Sequence, residues 1–177
     1  MAGPALISTV VTYLEMREPP SDRPTAPLRD DLQIVHARKP TVSFYRYLYD
    51  TIGERWLWTD RSRKKLSDAE LAAILGDERV EVWVLYAAGV PAGYVELDRR
   101  VGGEIEVAYF GLIPEFVGQG LGAYLLDWAI HRAWAQPRLG RLWVHTQTLD
   151  HPRALPLYQR LGFKPYKTET IHVDDPR

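Results

Sequence analysis

The chain has 177 residues, of which 46% are hydrophobic and 25% charged, and its formal net charge is −1 at pH 7. This size and composition fit one globular domain with a hydrophobic core. The near-neutral charge excludes a general electrostatic attraction to nucleic acid or anionic membrane, and the lack of cysteine excludes disulfides, a thiolate nucleophile and cysteine metal sites.

The N-terminal region predicts two strands separated by a long loop. Residues 9–16 are rich in β-branched side chains and predict a strand. The start of the chain lacks the basic region of a signal peptide, and no apolar run approaches the roughly 20 residues of a membrane span, so we expect a cytoplasmic protein. The proline-rich stretch REPPSDRPTAPLRDD predicts a loop, and residues 32–37 predict the second strand.

Two helices follow. Apolar residues at helical spacing predict a helix over 41–53. The next stretch, RWLWTDRSRKKL, is polar and aromatic and predicts irregular structure. A short second helix is predicted to begin at Ser67, because Glu70 three residues later completes a capping-box pattern.

The second half of the chain predicts a meander followed by alternating helices and strands. Residues 80–87, 92–98 and 104–113 predict three strands, the first two joined by the turn AGVP. A helix over 120–135, a strand over 142–146, a helix in LDHPRALPLYQRLG and a final strand in FKPYKTETIHV complete the order. We therefore expect a mixed α/β domain, single over residues 1–177, around one central sheet.

The stretch EFVGQGLGAYLLDW places Gly118, Gly120 and Gly122 at every second position where a helix is predicted to begin. Free backbone amides and the helix dipole make such a loop an anion site. A Walker loop requires Gly-Lys-Ser/Thr, and a Rossmann loop requires G-x-G-x-x-G with a later acidic residue; neither pattern is present. A flexible turn without a ligand remains the alternative interpretation.

Two stretches resemble conserved motifs of the GNAT superfamily of N-acetyltransferases. FGLIPEFVGQGLGAYLL resembles motif A, in which a strand leads into R/Q-x-x-G-x-G/A and a helix. DHPRALPLYQRLGF resembles motif B, N-x-x-A-x-x-x-Y-x-x-x-G-F, with Ala154 and Tyr158 in register. The resemblance covers roughly residues 80–166 and departs from the family pattern twice, because Val117 replaces Arg/Gln and His151 replaces Asn.

The resemblance implies a GNAT-like fold, a central, mostly antiparallel, splayed sheet flanked by helices. It also implies acetyl-CoA as the co-substrate, without a metal. Residues 80–177 would form the acetyl-CoA-binding half and residues 1–79 the variable acceptor half. The implied cofactor-binding residues are Phe110, Leu112, Val117, Gly118, Gln119, Gly120, Leu121, Gly122, Ala123, His151, Ala154 and Tyr158.

The resemblance also implies catalytic roles. Tyr158 would be the general acid that protonates the leaving thiolate; a buried structural tyrosine is the alternative. Strand alternation places Glu106 and Phe110 on one face. An unpaired carboxylate is costly to bury there, and Glu106 matches the general base of the histone-acetylating branch. A salt-bridged or solvent-facing Glu106, with water as the base, is equally compatible with the sequence.

Other residues are candidates for the acceptor side. Glu96 is a reserve base by antiparallel pairing with the Glu106 strand, and His145 is another candidate base or a structural histidine. Trp56 and Trp58 lie in a polar segment and are candidates for the pocket wall.

The sequence thus predicts direct transfer of an acetyl group to a primary amine of a small molecule or peptide. No nucleic-acid or membrane partner is expected, and a homodimer is left open. A non-catalytic CoA-binding or regulatory domain of the same fold, or a protein-interaction module, are the alternatives.

Overall fold

The computed structural model describes residues 6–58 and 63–175. Within these ranges it has seven strands and four α-helices: β1 (Leu6–Met16), β2 (Leu32–His36), α1 (Val42–Gly53), α2 (Asp68–Leu75), β3 (Val80–Ala87), β4 (Val90–Asp98), β5 (Glu104–Leu112), α3 (Leu121–Trp134), β6 (Arg141–Gln147), α4 (Ala154–Arg160) and β7 (Lys164–Asp174). No helix in the described ranges is long and apolar enough to cross a membrane.

The predicted strands and helices form, with small differences at their ends. The capping box at the start of α2 is present, since Ser67 accepts a hydrogen bond from the Glu70 amide and Glu70 accepts one from the Ser67 amide. The last predicted helix is shorter than expected and begins at Ala154. The residues before it form turns, because the Asp150 carboxylate accepts from Thr146 and from the Gln147 amide.

The fold is built on one seven-stranded sheet, whose strands lie in the order β2-β3-β4-β5-β6-β1-β7. β5 and β6 are parallel and pair only over 104–106 and 141–143, whereas the other neighbouring strands are antiparallel. Beyond that short pairing β5 and β6 separate, which confirms the predicted splayed, mostly antiparallel sheet. The position of β1 between β6 and β7 is a feature that the sequence analysis did not predict.

A β-bulge in β5 changes which side chains share a face. Glu96 pairs with Tyr109 and Leu97 with Val107, so Ala108 is an extra residue. Val107 and Phe110 consequently both pack into the core around α3, while Tyr109 packs into the core around α1. The prediction that Glu106 and Phe110 lie on one face is therefore wrong.

The proline-rich loop, residues 17–31, crosses from β1 to β2 and lies along α3; we call it the strap. The Thr25 amide donates a 2.7 Å hydrogen bond to Asp127 on α3. At its far end, Arg29 donates to the side chain of Gln119 at 3.2 Å. The strap thus runs from β1, the strand next to one edge of the sheet, to β2 at the other edge. On its way it reaches residues 117–123 before and at the start of α3, which we call the glycine loop.

Candidate active site

A cavity of about 860 Å³ lies where β5 and β6 separate. It is bordered by the glycine loop, α4, the end of α1 and the strands β1, β5 and β6. Candidate residues on its wall are Trp56, Trp58, Glu106, Phe110, Leu112, Val117, Gly118, Gly120, Gly122, Ala123, His145, His151, Ala154 and Tyr158. One cavity therefore brings together most of the residues that the sequence analysis singled out.

The glycine loop presents open backbone at the start of α3. Gly118 and Gly120 have φ of 89° and 79°, a conformation that favours glycine, and a Cβ at Gly118 would meet no atom within 4 Å. Gly120 is the N-cap of α3 and no side chain caps the helix there. The first amides of the helix therefore lack an intrahelical partner, and the open space at Gly118 lets an anion approach the backbone beside them.

Two residues of the loop do not line the cavity. Leu121 is buried in the core around α3. Gln119 donates to the Glu115 carbonyl and accepts from Arg29, and its side chain is exposed. Only the backbones of these two residues can therefore take part in anion binding at the cavity.

Tyr158 on α4 is buried and lines the cavity. Its ring packs edge-on against Phe110 and Phe163, with centroids 6.2 and 5.8 Å away. Burial, and then the nearby Asp150 charge, raise the pKa of Tyr158 far above its usual value. The phenol thus stays protonated at any physiological pH, as a proton donor must.

The residues at the start of α4 form a second polar wall. Burial raises the pKa of Asp150, although hydrogen bonds from Thr146 and Gln147 oppose the shift. The His151 ring lies 4.9 Å from that of Trp56, and its Nδ1 accepts from the Arg153 amide. Burial, followed by the charges of Arg153 and Arg55, lowers the pKa of His151, so the neutral imidazole is favoured.

Glu106 and His145 face each other across the opening between β5 and β6. Glu106 Oε1 lies 3.3 Å from His145 Nδ1, and both side chains line the cavity. The rings of Tyr13 and Trp143 flank His145, with centroids 5.7 and 6.1 Å away. A carboxylate–imidazole pair in this position can accept a proton from a group bound in the cavity.

Glu96 lies beneath the cavity and does not line it. Its carboxylate is fully buried, accepts from the Tyr45 hydroxyl and forms a 2.6 Å ion pair with Arg63. Both oxygens are thus engaged in structural contacts. The structure therefore offers Glu106 and His145, rather than Glu96, to a substrate.

Several residues of the cavity wall were not predicted from the sequence, among them Tyr13, Arg153 and Arg160, whose side chains are polar or charged. Tyr13 arrives on β1, whose place beside β6 no local pattern reveals. Arg153 and Arg160 line the α4 side and bring positive charge to the cavity. Their basic side chains within motif B were a signal that could have identified them. In the described part of the chain no cluster of His, Asp and Glu could hold a metal ion.

Comparisons with known proteins agree with this fold. Solved structures with the same fold include GCN5-related N-acetyltransferases from Kribbella flavida (TM-score 0.62, 20% identity, 97% of this chain and 60% of that chain) and Sphaerobacter thermophilus (0.64, 15%, 96% and 51%). The IAA acetyltransferase from Bacillus cereus is also similar (TM-score 0.55, 19% identity, 77% of this chain and 79% of that chain).

The chain spans about 60% of the length of the Kribbella protein. The curated proteins include no match to this sequence. A family model described as "Acetyltransferase (GNAT) family" matches residues 41–163, which is more than half of the chain. The protein belongs to the GNAT family of acetyltransferases.

Proposed function

We propose that the protein is an acetyl-CoA-dependent N-acetyltransferase that moves an acetyl group directly to a primary amine of a small molecule or peptide. One observation carries the proposal. A single cavity joins an uncapped helix N-terminus, a protonated buried tyrosine and a carboxylate–imidazole pair. These are the three elements that acetyl transfer to an amine needs, namely an anion cradle, an acid and a base.

The glycine loop fits the diphosphate of acetyl-CoA. Gly118 leaves open space where a Cβ would stand, and the amides that follow are free to donate. Beyond residue 106, β5 has separated from β6, so the main chain at Phe110 and Leu112 is available to pair with the pantetheine arm. Arg153 and Arg160 add positive charge on the opposite wall. When bound, acetyl-CoA supplies the activated acetyl group as a thioester.

The residues of the chain would manage two protons. The Glu106–His145 pair accepts a proton from the acceptor ammonium group, which leaves the nitrogen lone pair free to attack the carbonyl carbon. As the new C–N bond forms and the C–S bond breaks, Tyr158 donates its proton to the departing sulfur. The nitrogen then loses one further proton to solvent to become the amide N–H, and solvent reprotonates Tyr158. No covalent intermediate on the protein is needed, and the chain contains no cysteine to form one.

The acceptor would enter beside residues supplied largely by the N-terminal half. Trp56 lies on the cavity wall and also carries the Arg55 guanidinium over its ring. Trp58 packs against Tyr49 and Tyr109, with centroids 5.5 and 5.6 Å away. This aromatic wall supports an amine with an apolar or aromatic body, and we propose residues 1–79 as the main source of acceptor contacts within a single domain.

The test is binding followed by turnover. Calorimetry should show saturable binding of acetyl-CoA, and a panel of amines assayed for free CoA thiol should include acceptors that raise thiol release above hydrolysis. An absence of saturable binding would overturn the proposal.

Val117 supports a second candidate function, a non-catalytic CoA-binding domain, because it lacks the side-chain donor usual at that position of the motif. Binding without thiol release for any amine class would favour this alternative.

A further inference from the structure

The glycine loop lacks a cation of its own. Between residues 114 and 123 the sequence reads PEFVGQGLGA, in which Glu115 is the only charged side chain. A diphosphate carries negative charge that backbone amides alone neutralise only partly, and arginine is the side chain best suited to phosphate. Arg153 and Arg160 lie on the α4 wall, so the side of the loop facing the strap needs another source of charge.

The strap is fixed along α3 and ends at the loop. Its Asp22 lies 3.9 Å from His131 near the C-terminus of the helix, and the Thr25 amide donates to Asp127 in the middle. Near the N-terminus, Leu28 Cδ1 lies 3.4 Å from where a Cβ of Gly120 would be. The next residue of the strap is Arg29. The contacts of its neighbours therefore place Arg29 beside the first turn of α3.

The Arg29 side chain is oriented from both sides. Its Nε donates to Asp31 at 2.9 Å, and its Nη1 donates to Gln119 Oε1 at 3.2 Å. Gln119 is itself held, because its Nε2 donates to the Glu115 carbonyl. A guanidinium has five N–H donors, so donors remain for an anion beside the loop.

We propose that Arg29 is a phosphate-binding residue, supplied by the strap in place of the side-chain donor missing at Val117, and that it contacts the diphosphate of acetyl-CoA. The inference rests on the proposed function, since it assumes that the glycine loop holds this group. Asp31 and Gln119 act as positioning residues that keep the guanidinium over the loop. The strap is then part of the cofactor site, although it lies outside both sequence motifs.

The experiment measures binding rather than turnover. Calorimetric Kd values for acetyl-CoA and for S-acetylpantetheine, which has no diphosphate, are compared in wild type, Arg29→Ala, Arg29→Lys and Arg23→Ala. Arg23 is an exposed arginine of the same strap and serves as the matched control. Thermal melting of each variant confirms that it is folded.

We expect Arg29→Ala to raise the Kd for acetyl-CoA about tenfold, the effect of losing one charge-assisted contact at a partly exposed site. Its Kd for S-acetylpantetheine should stay within about twofold of wild type, Arg29→Lys should be intermediate, and Arg23→Ala should match wild type.

Equal acetyl-CoA binding by Arg29→Ala and wild type would overturn this inference and leave the proposed function standing. An equal loss for both probes would also overturn it, because the defect would then be structural. A wild-type protein that fails to bind acetyl-CoA would overturn the proposed function and this inference together.

Discussion

Glu106 Oε1 and His145 Nδ1 lie 3.3 Å apart on β5 and β6, at the point where these two strands stop pairing. The separation of the strands leaves the pair open to the cavity, while the short parallel pairing before it fixes the two residues relative to each other. We therefore expect this pair to take the proton from the acceptor amine.

The first prediction concerns this base. Glu106→Gln should lower kcat/KM about 100-fold and change the shape of the pH–rate profile, because the amide can neither accept the proton nor pair with an imidazolium. Glu104→Gln is the matched control, since Glu104 lies on the same strand but pairs with Arg141. Steady-state kinetics over a pH series provide the measurement. A Glu106→Gln profile that coincides with wild type would exclude Glu106 as the base.

The second prediction concerns the acid. Tyr158→Phe should lower the rate of thiol release roughly 100-fold with little change in acetyl-CoA affinity, because the ring packing against Phe110 and Phe163 is retained while the proton donor is lost. Because the pKa of Tyr158 is raised by burial and then by Asp150, any alkaline limb of the wild-type profile should belong to another group. An unchanged rate would remove Tyr158 from the mechanism.

The third prediction distinguishes the effect of Gly118 on acetyl-CoA binding from the effect of backbone strain on stability. Gly118→Ala places a methyl group in the open space that faces the cavity and should abolish measurable acetyl-CoA binding. Gly89→Ala is its control, because Gly89 also has positive φ and no atom near its Cβ position, but it lies in the β3–β4 turn. Both variants should lose about 1 kcal/mol of unfolding free energy, measured in urea. Only the first should lose affinity.

The fourth prediction concerns the buried ion pair beneath the site. Arg63→Met leaves Glu96 without its cation in a fully buried position and should lower the unfolding free energy by about 3–5 kcal/mol. Arg79→Ala removes an exposed partner of Asp77 and should cost far less, because solvent screens this pair. Urea denaturation of both variants tests the contrast. Similar losses for the two would show that Glu96 finds another partner.

The fifth prediction concerns pH and stability. Burial lowers the pKa of His36 from 6.5, with Glu81 opposing and nearby arginines assisting the shift. The unfolded chain thus binds this proton more readily, so His36 contributes stability above pH 6.5 that is lost as the pH falls through the lower folded-state value. His36→Phe, which can keep the stacking on Trp83, should lose less stability than wild type between pH 7 and about 5. Parallel denaturation series measure the difference.

The sequence predicted the parts of the site that depend on local geometry. Gly118 and Gly120 were identifiable because positive φ and open backbone require glycine, and the turn into α3 follows from them. Tyr158 was identifiable from its spacing to the following Gly-Phe pair. The capping box at Ser67 was identifiable for the same reason, since both partners lie within one turn.

The features that could not be predicted from the sequence depend on contacts between distant segments. The bulge at Ala108 leaves no trace in EIEVAYFGL, because Tyr109 and Phe110 are both apolar and either could face a core. The ion pair that occupies Glu96 needs Arg63, which lies 33 positions away. The strap gave a loop signal, but nothing in its composition shows that Arg29 meets Gln119.

The location of β1 has a consequence for how the chain folds. Tyr13 on β1 bonds Glu169 on β7, 156 positions later, and β1 is the only bridge between β6 and β7 within the described sheet. During synthesis β1 therefore has no strand partner until the ribosome has produced β6, and its pairing is complete only once β7 follows. Closing so long a chain segment is entropically slow, which makes completion of this edge the expected late event of folding and the stage most exposed to chaperones.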